Sequence, residues 1–287
     1  RGDRGDRGDR GDRGKIVAVF AIIALLLVLV LALRSASSTV AIRYRFPTGR
    51  VLHYRWTVEA STTNMGAGGL SQQFHMVLEV RERVLAGRPD GGAHLRVNLR
   101  PLRKVEDGVA RGARPPIVLE IEVGPTGRVE RILRAADLPQ ERITSLELDR
   151  LLSESRPPLP PGRVGPVATW PAPLASKGER TSIDLEGRGR LLGFALDGGR
   201  RLAQVQIDRR GPVRAEQPAG ADRIQLEGLS EVRSTAEVDL DRGVLVNSVS
   251  LGVSSFRLSL EDQPEAAELR VVLRSKLDLL EAGGPQD

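Results

Sequence analysis

Three histidines are the sharpest chemical candidates in the chain: His53, His75 and His94. Each sits on the polar side of a short alternating run: VLHYRWTV, QFHMVLEV and AHLRVNLR. If the three runs pair as successive strands in suitable register, the imidazoles converge. Three neutral imidazoles hold zinc with a fourth position open. In any other register they are surface histidines on solvated strand faces. The chain has no cysteine, which excludes disulfides, thiolate metal sites, a cysteine nucleophile and a bacterial lipobox.

Other chemistry is missing from the sequence. No GxSxG elbow occurs, and GVSSF at 252–256 does not replace one. HExxH is absent. Asp239-Leu240-Asp241-Arg242-Gly243 faintly resembles a calcium loop, but its third acidic ligand and distal Glu are wrong, so a hairpin turn is expected. A P-loop ending at Gly14-Lys15 would need glycine where Asp9 stands. No nucleophile–base pair can be named. The expectation is a non-enzyme without cofactor or metal, and an unrecognised hydrolase ranks last. The remaining candidate site is aromatic: Tyr44, Phe46, Tyr54, Trp56 and Phe74, all in the first third of the chain. They read either as core or as the lining of a ligand cavity.

The elements that must position these residues are strands. Leu52, Tyr54, Trp56 and Val58 share one face of their run. Phe74, Met76, Leu78 and Val80 do the same, as do Leu95, Val97 and Leu99. The runs 117–123 and 128–133 flank Gly124-Pro125-Thr126-Gly127 and read as a hairpin. A second hairpin turns at Asp197-Gly198-Gly199, and the clearest spans 231–251 with its turn at Asp241-Arg242-Gly243. Residues 268–280 fit both periods and are read as a strand, since they follow hairpins. One helix is expected over 138–154, where Asp137 and Gln140 resemble a capping box and Pro139 lies in the first turn. RPPLPPG at 156–162 ends it. This Pro-rich connector either separates two β halves or carries the chain across one sheet; one domain is preferred, because each half makes a thin core.

Residues 16–33, IVAVFAIIALLLVLVLAL, contain no charge, proline, glycine or polar side chain. Eighteen helical residues span about 27 Å, close to the bilayer hydrocarbon thickness. A signal peptide's apolar region is shorter, about 7–15 residues. A retained transmembrane helix is therefore expected, with secretion after cleavage near Ser37 as the alternative. The RGD repeat before it invites an adhesion reading. The positive-inside rule instead puts that tail in the cytoplasm, as a solvated, disordered repeat, and the rest of the chain outside. The first residue is not Met, so the start reads as processed or truncated.

The net charge is +6, of which +3 lies in the first 34 residues. The remaining +3 over 253 residues, without a basic cluster interleaved with aromatics, argues against nucleic acid. Only Lys15, Lys104, Lys177 and Lys276 are lysines, and arginine, glycine, alanine and proline abound, as in a GC-rich bacterial genome. The expected layout is a disordered tail 1–15, a membrane helix 16–33, a linker 34–41, a mainly β domain 42–281 and a flexible tail 282–287.

YRFPTGRVLHYRW, PPLPPGRVGPVATW and EVDLDRGVLVNSVS, at 44–56, 157–170 and 237–250, carry a resemblance of order and style. The chain resembles uncharacterised secreted bacterial β domains akin to lipoprotein-carrier half-barrels. That resemblance implies a curved antiparallel sheet around a helix or an apolar cavity that takes acyl chains or lipoproteins. The expected function is a membrane-anchored, extracytoplasmic β domain with a non-catalytic binding or structural role at the cell envelope. Its expected partners are the membrane itself and a lipid or envelope protein. A lipid- or lipoprotein-binding carrier is the alternative.

Overall fold

The computed structural model describes residues 39–65, 71–112, 115–136, 152, 155–177, 181–219, 222–260 and 263–283. The apolar run 16–33 and the expected helix 138–154, apart from the buried and helical Leu152, lie outside the described residues. Among the described residues no helix is long and apolar enough to cross a membrane.

The first half of the chain contributes β1 (Val40–Ala41), β2 (Val51–Asn64), β3 (Ser71–Gly87), β4 (Ala93–Glu106), β5 (Val109–Arg111), β6 (Ile117–Val123) and β7 (Val129–Ala136). Short strands follow: β8 (Arg163–Val164), β9 (Thr169–Pro171) and β10 (Leu174–Lys177). Long ones end the chain: β11 (Thr181–Asp197), β12 (Arg200–Ala219), β13 (Asp222–Asp239), β14 (Val244–Leu260) and β15 (Gln263–Gly283). Residues 268–280 are thus strand, as their place after a run of hairpins suggested.

Thirteen strands form one open, curved antiparallel sheet, ordered β10-β11-β12-β13-β14-β15-β2-β3-β4-β6-β7, with β5 on β4 and β9 on β11. β1 and β8 pair separately. The chain enters this sheet in its middle, because β2 pairs with the last strand, β15, placing Trp56 opposite Leu277. It meanders from β2 to the β7 edge, restarts at the β10 edge, and meanders back. The segment between β7 and β9 therefore has to cross the sheet.

Among its described residues Leu152, Arg156 and Leu159 are buried on the inner face, where the apolar side chains lie. Tyr54, Trp56 and Val58 of β2, Leu78, Val80 and Val84 of β3, Leu95, Val97 and Leu99 of β4, and Leu119, Ile121 and Val123 of β6 are all buried there. Each contributes about 1.5–3 kcal/mol by leaving water. Leu159 and Trp170 of the crossing segment belong to the same cluster. The Leu159 amide donates to the Thr126 carbonyl at 2.9 Å, and Trp170 Nε1 donates to the Pro158 carbonyl at 3.0 Å. The Trp170 ring packs on Gly189 of β11, where a Cβ would come within 2.2 Å of it. Prolines suit such a crossing: they fix an extended backbone and bring no amide that must be satisfied in the core.

The inner face changes character at β13 and β14. Ser230, Ser234, Ser248, Ser250 and Ser254 are buried there, while Val249 and Leu251 point outward and are more than two-fifths exposed. Paired hydroxyls satisfy most of this face: Ser250 Oγ donates to Ser234 Oγ at 2.7 Å and Ser254 Oγ to Ser230 Oγ at 2.9 Å. A smaller apolar cluster of Leu174, Ile183, Leu185, Val213 and Val232 closes that side of the sheet.

Candidate functional site

The three histidines do not converge. His53 lies opposite Arg81, and His75 lies opposite Glu59, six residues further along β2, about 20 Å away at strand rise. His94 lies opposite Ala86, eleven residues from His75 along β3. The zinc alternative fails on register: the pairing offsets the three runs although all three histidines fall on the outer face. His94 Nε2 instead sits 3.6 Å from a Glu120 oxygen. Among the described residues no group of three His, Asp or Glu side chains is placed to hold a metal. The Asp239 loop is a turn: Asp239 Oδ1 accepts from the amides of Asp241 and Arg242 at 2.9 and 2.8 Å.

The five aromatics part company. Tyr44, Tyr54 and Trp56 are buried in the main core. Trp56 Nε1 donates to Ser275 Oγ on β15 at 2.8 Å. Phe46 is partly buried, its ring 6.1 Å from that of Tyr44. Phe74 also packs, partly buried, against the main core, with the Lys104 ammonium 5.5 Å from its ring centre.

Tyr44 and Phe46 gather around a residue the sequence reading passed over, Arg156. Its guanidinium lies 5.6 Å from the Tyr44 ring and 5.9 Å from the Phe46 ring, and its Nη2 donates to Glu82 Oε2. Both members of this ion pair are buried. Burial alone would lower the Arg156 pKa; the Glu82 carboxylate together with Tyr54 and Tyr44 outweighs that and raises it. Burial pushes the Tyr44 and Tyr54 phenols up, so they stay protonated. The Tyr44 hydroxyl donates to the Pro157 carbonyl at 3.1 Å. One signal did exist: Glu82 stands in the apolar register of Leu78, Val80 and Val84, where a carboxylate needs a buried partner.

Outside this aromatic layer an open cleft of about 970 Å3 lies at one end of the sheet. It is built by the segment before β2, the β3–β4, β6–β7 and β13–β14 turns, and Pro160-Pro161 of the crossing segment. Tyr44 and Phe46 contribute apolar surface, and Arg43, Arg45, Arg50 and Arg242 contribute charge. Arg45 is fixed twice, by its amide donating to the Gly243 carbonyl at 2.9 Å and by Nη1 donating to the Asp241 carbonyl at 2.9 Å. Gly243 permits this approach: it has φ of 63°, and a Cβ on it would come within 2.5 Å of the Arg45 side chain. Arg50 Nη1 donates to the carbonyls of Arg45 and Arg242 at 3.2 and 2.9 Å. Burial, and then the Arg242 charge, lower the Arg50 pKa. The carboxylates of the cleft are engaged: Asp241 by Arg201, and Asp90 by Arg88. Among the described residues no carboxylate forms an ion pair with Arg43, Arg45 or Arg50. The cleft is drawn from five distant stretches of chain, so no local motif announced it.

No family model matches the chain, and no curated protein matches it. Among solved structures, DynF from the dynemicin biosynthesis pathway of Micromonospora chersina is similar at 10% identity, over 85% of this chain and 86% of that one, with a TM-score of 0.23. A likeness of that size carries no argument about fold or function.

Proposed function

We propose that the protein is a non-catalytic binding domain, held at the outer side of the cell membrane by residues 16–33, and that it binds at its surface instead of in a hollow sheet. The observation that carries this reading is the occupied inner face. Where a half-barrel carrier keeps an acyl chain, this chain places its own Leu159 and Trp170 in the same inner-face cluster as Tyr44 and Tyr54, with the Arg156–Glu82 pair beside the Tyr44 ring. An accessible concavity with converging polar groups, the arginine cleft, lies outside that layer. The apolar length of residues 16–33 supports the anchor.

The test is made on the full chain in a bacterial envelope. The protein is expected in the membrane fraction, released by detergent and retained under alkaline carbonate. Protease added to spheroplasts is expected to digest the β domain. Lipid extracted from the purified protein is expected to show no acyl chain in stoichiometric amount. A domain protected in spheroplasts overturns the topology, and one tightly held lipid per chain restores the carrier reading.

A further inference from the structure

We infer that the cleft beside β2 binds an anionic group, a phosphate or carboxylate carried on an apolar body, through Arg43, Arg45 and Arg50. This deepens the binding reading above and rests on it. Arginines abound in this chain, so their presence alone decides nothing. Their pairing does. On the outer face arginines stand against carboxylates of the neighbouring strand: Arg96 with Glu120, Arg210 with Glu231, Arg214 with Glu227, Arg233 with Asp208. In the cleft Arg88 keeps that pattern, with Asp90 and Glu130, but Arg43, Arg45 and Arg50 have no such carboxylate among the described residues. Arg45 and Arg50 spend Nη1 on backbone carbonyls, which position the guanidinium without neutralising it. Nε and Nη2 of Arg50 have no partner among the described residues.

Like charges gathered in a partly desolvated cleft repel one another, and an anion relieves that repulsion. A guanidinium held through one nitrogen offers its other N–H groups as a planar fork, which fits the paired oxygens of phosphate or carboxylate. The native carboxylates cannot fill this role, since Arg201 and Arg88 hold them. Tyr44 and Phe46 give the floor an apolar surface, so the preferred ligand carries hydrocarbon next to its charge. Arg43 lies nine residues beyond Arg34, close enough in sequence for a lipid headgroup of the anchoring membrane to be one source of that anion. Free phosphate is the other.

The experiment uses the full chain in phosphatidylcholine nanodiscs, titrated calorimetrically with inorganic phosphate and, separately, with short-chain phosphatidylglycerol below its micelle concentration. Saturable binding of at least one is expected. Arg50→Gln and Arg43→Gln should each weaken it about tenfold or more, while Arg210→Gln, on the outer face, leaves it unchanged. Binding of phosphate by itself assigns a free anion; binding of the lipid alone assigns a headgroup. Thermal midpoints of the variants separate a lost ligand contact from a lost fold, and Arg43, whose side chain makes no hydrogen bond or ion pair among the described residues, is the safer of the two. No saturable binding up to about 10 mM, or arginine variants that bind like the parent, overturns the inference. The spheroplast protease result stands or falls separately, so a wrong topology is not mistaken for an empty cleft.

Discussion

Arg156 with Glu82, inside the sheet, and Arg210 with Glu231, on its outer face, are the same chemical pair in two settings. The inner pair is nearly enclosed, at 7% and 11% side-chain exposure, whereas the outer pair is 70% and 63% exposed. Water screens the outer charges whether or not they meet, so that contact adds little. The inner charges have no water to return to, and each depends on the other. The comparison teaches that arginine in this chain has three roles set by surroundings. Arg156 and Arg209 are buried structural cations, one held by the Glu82 carboxylate and the other by the Ala172 carbonyl; many others are solvated rungs, and a few in the cleft are positioned by carbonyls.

The largest expected effect comes from splitting the inner pair. Arg156→Met leaves Glu82 buried without a partner and should cost about 3–5 kcal/mol in urea unfolding. Adding Glu82→Leu should restore most of that loss; a double variant as weak as the single one breaks the comparison. Trp170→Ala removes the ring that fills the space over Gly189 and should cost a similar 3–5 kcal/mol. Next, Gly243→Ala forces a side chain into the left-handed region against Arg45, for about 1–3 kcal/mol, and should weaken anion binding as Arg45 shifts. A normal thermal midpoint with unchanged binding would contradict that placement. Arg210→Ala should change stability by less than about 1 kcal/mol.

The smallest effect is a pH dependence. Burial alone would raise the Asp208 carboxyl, but hydrogen bonds from Arg233 and Gln206 outweigh it and hold it below its ordinary value of 3.8. A carboxyl depressed in the folded state adds stability that is complete above its unfolded pKa and drains as pH falls through the folded one. The stability difference between the parent and Arg233→Ala should therefore stay constant near neutrality and shrink below pH 3.8. A difference that grows on acidification contradicts the assignment.

Much of the fold was legible because alternation is local. The faces of β2, β3 and β4 follow from VLHYRWTV, QFHMVLEV and AHLRVNLR, and the turns follow from their glycines and aspartates. What alternation leaves open is which face turns inward, and β14 shows it: its serines are buried and its Val249 and Leu251 exposed. Register was equally hidden, so the histidines could be assigned a face but not a distance. RPPLPPG left open a boundary or a connector, with the connector preferred, because prolines break local pairing. Its burial follows from strand order, since β7 and β10 are opposite edges of one sheet. The cleft depends on that same long-range order.

The claim at the centre of this account is that the crossing segment is core. Hydrogen exchange at the Leu159 amide tests it most directly, because Leu159 is buried in the core and its amide proton is held by the Thr126 carbonyl of the β6–β7 turn. The account predicts that Leu159 exchanges as slowly as Val97 in the middle of β4, and equally slowly with or without added fatty acid. Exchange at the rate of an exposed loop, or protection gained only when fatty acid is present, would mean that the sheet is hollow there and that the cavity, not the cleft, is where this protein binds.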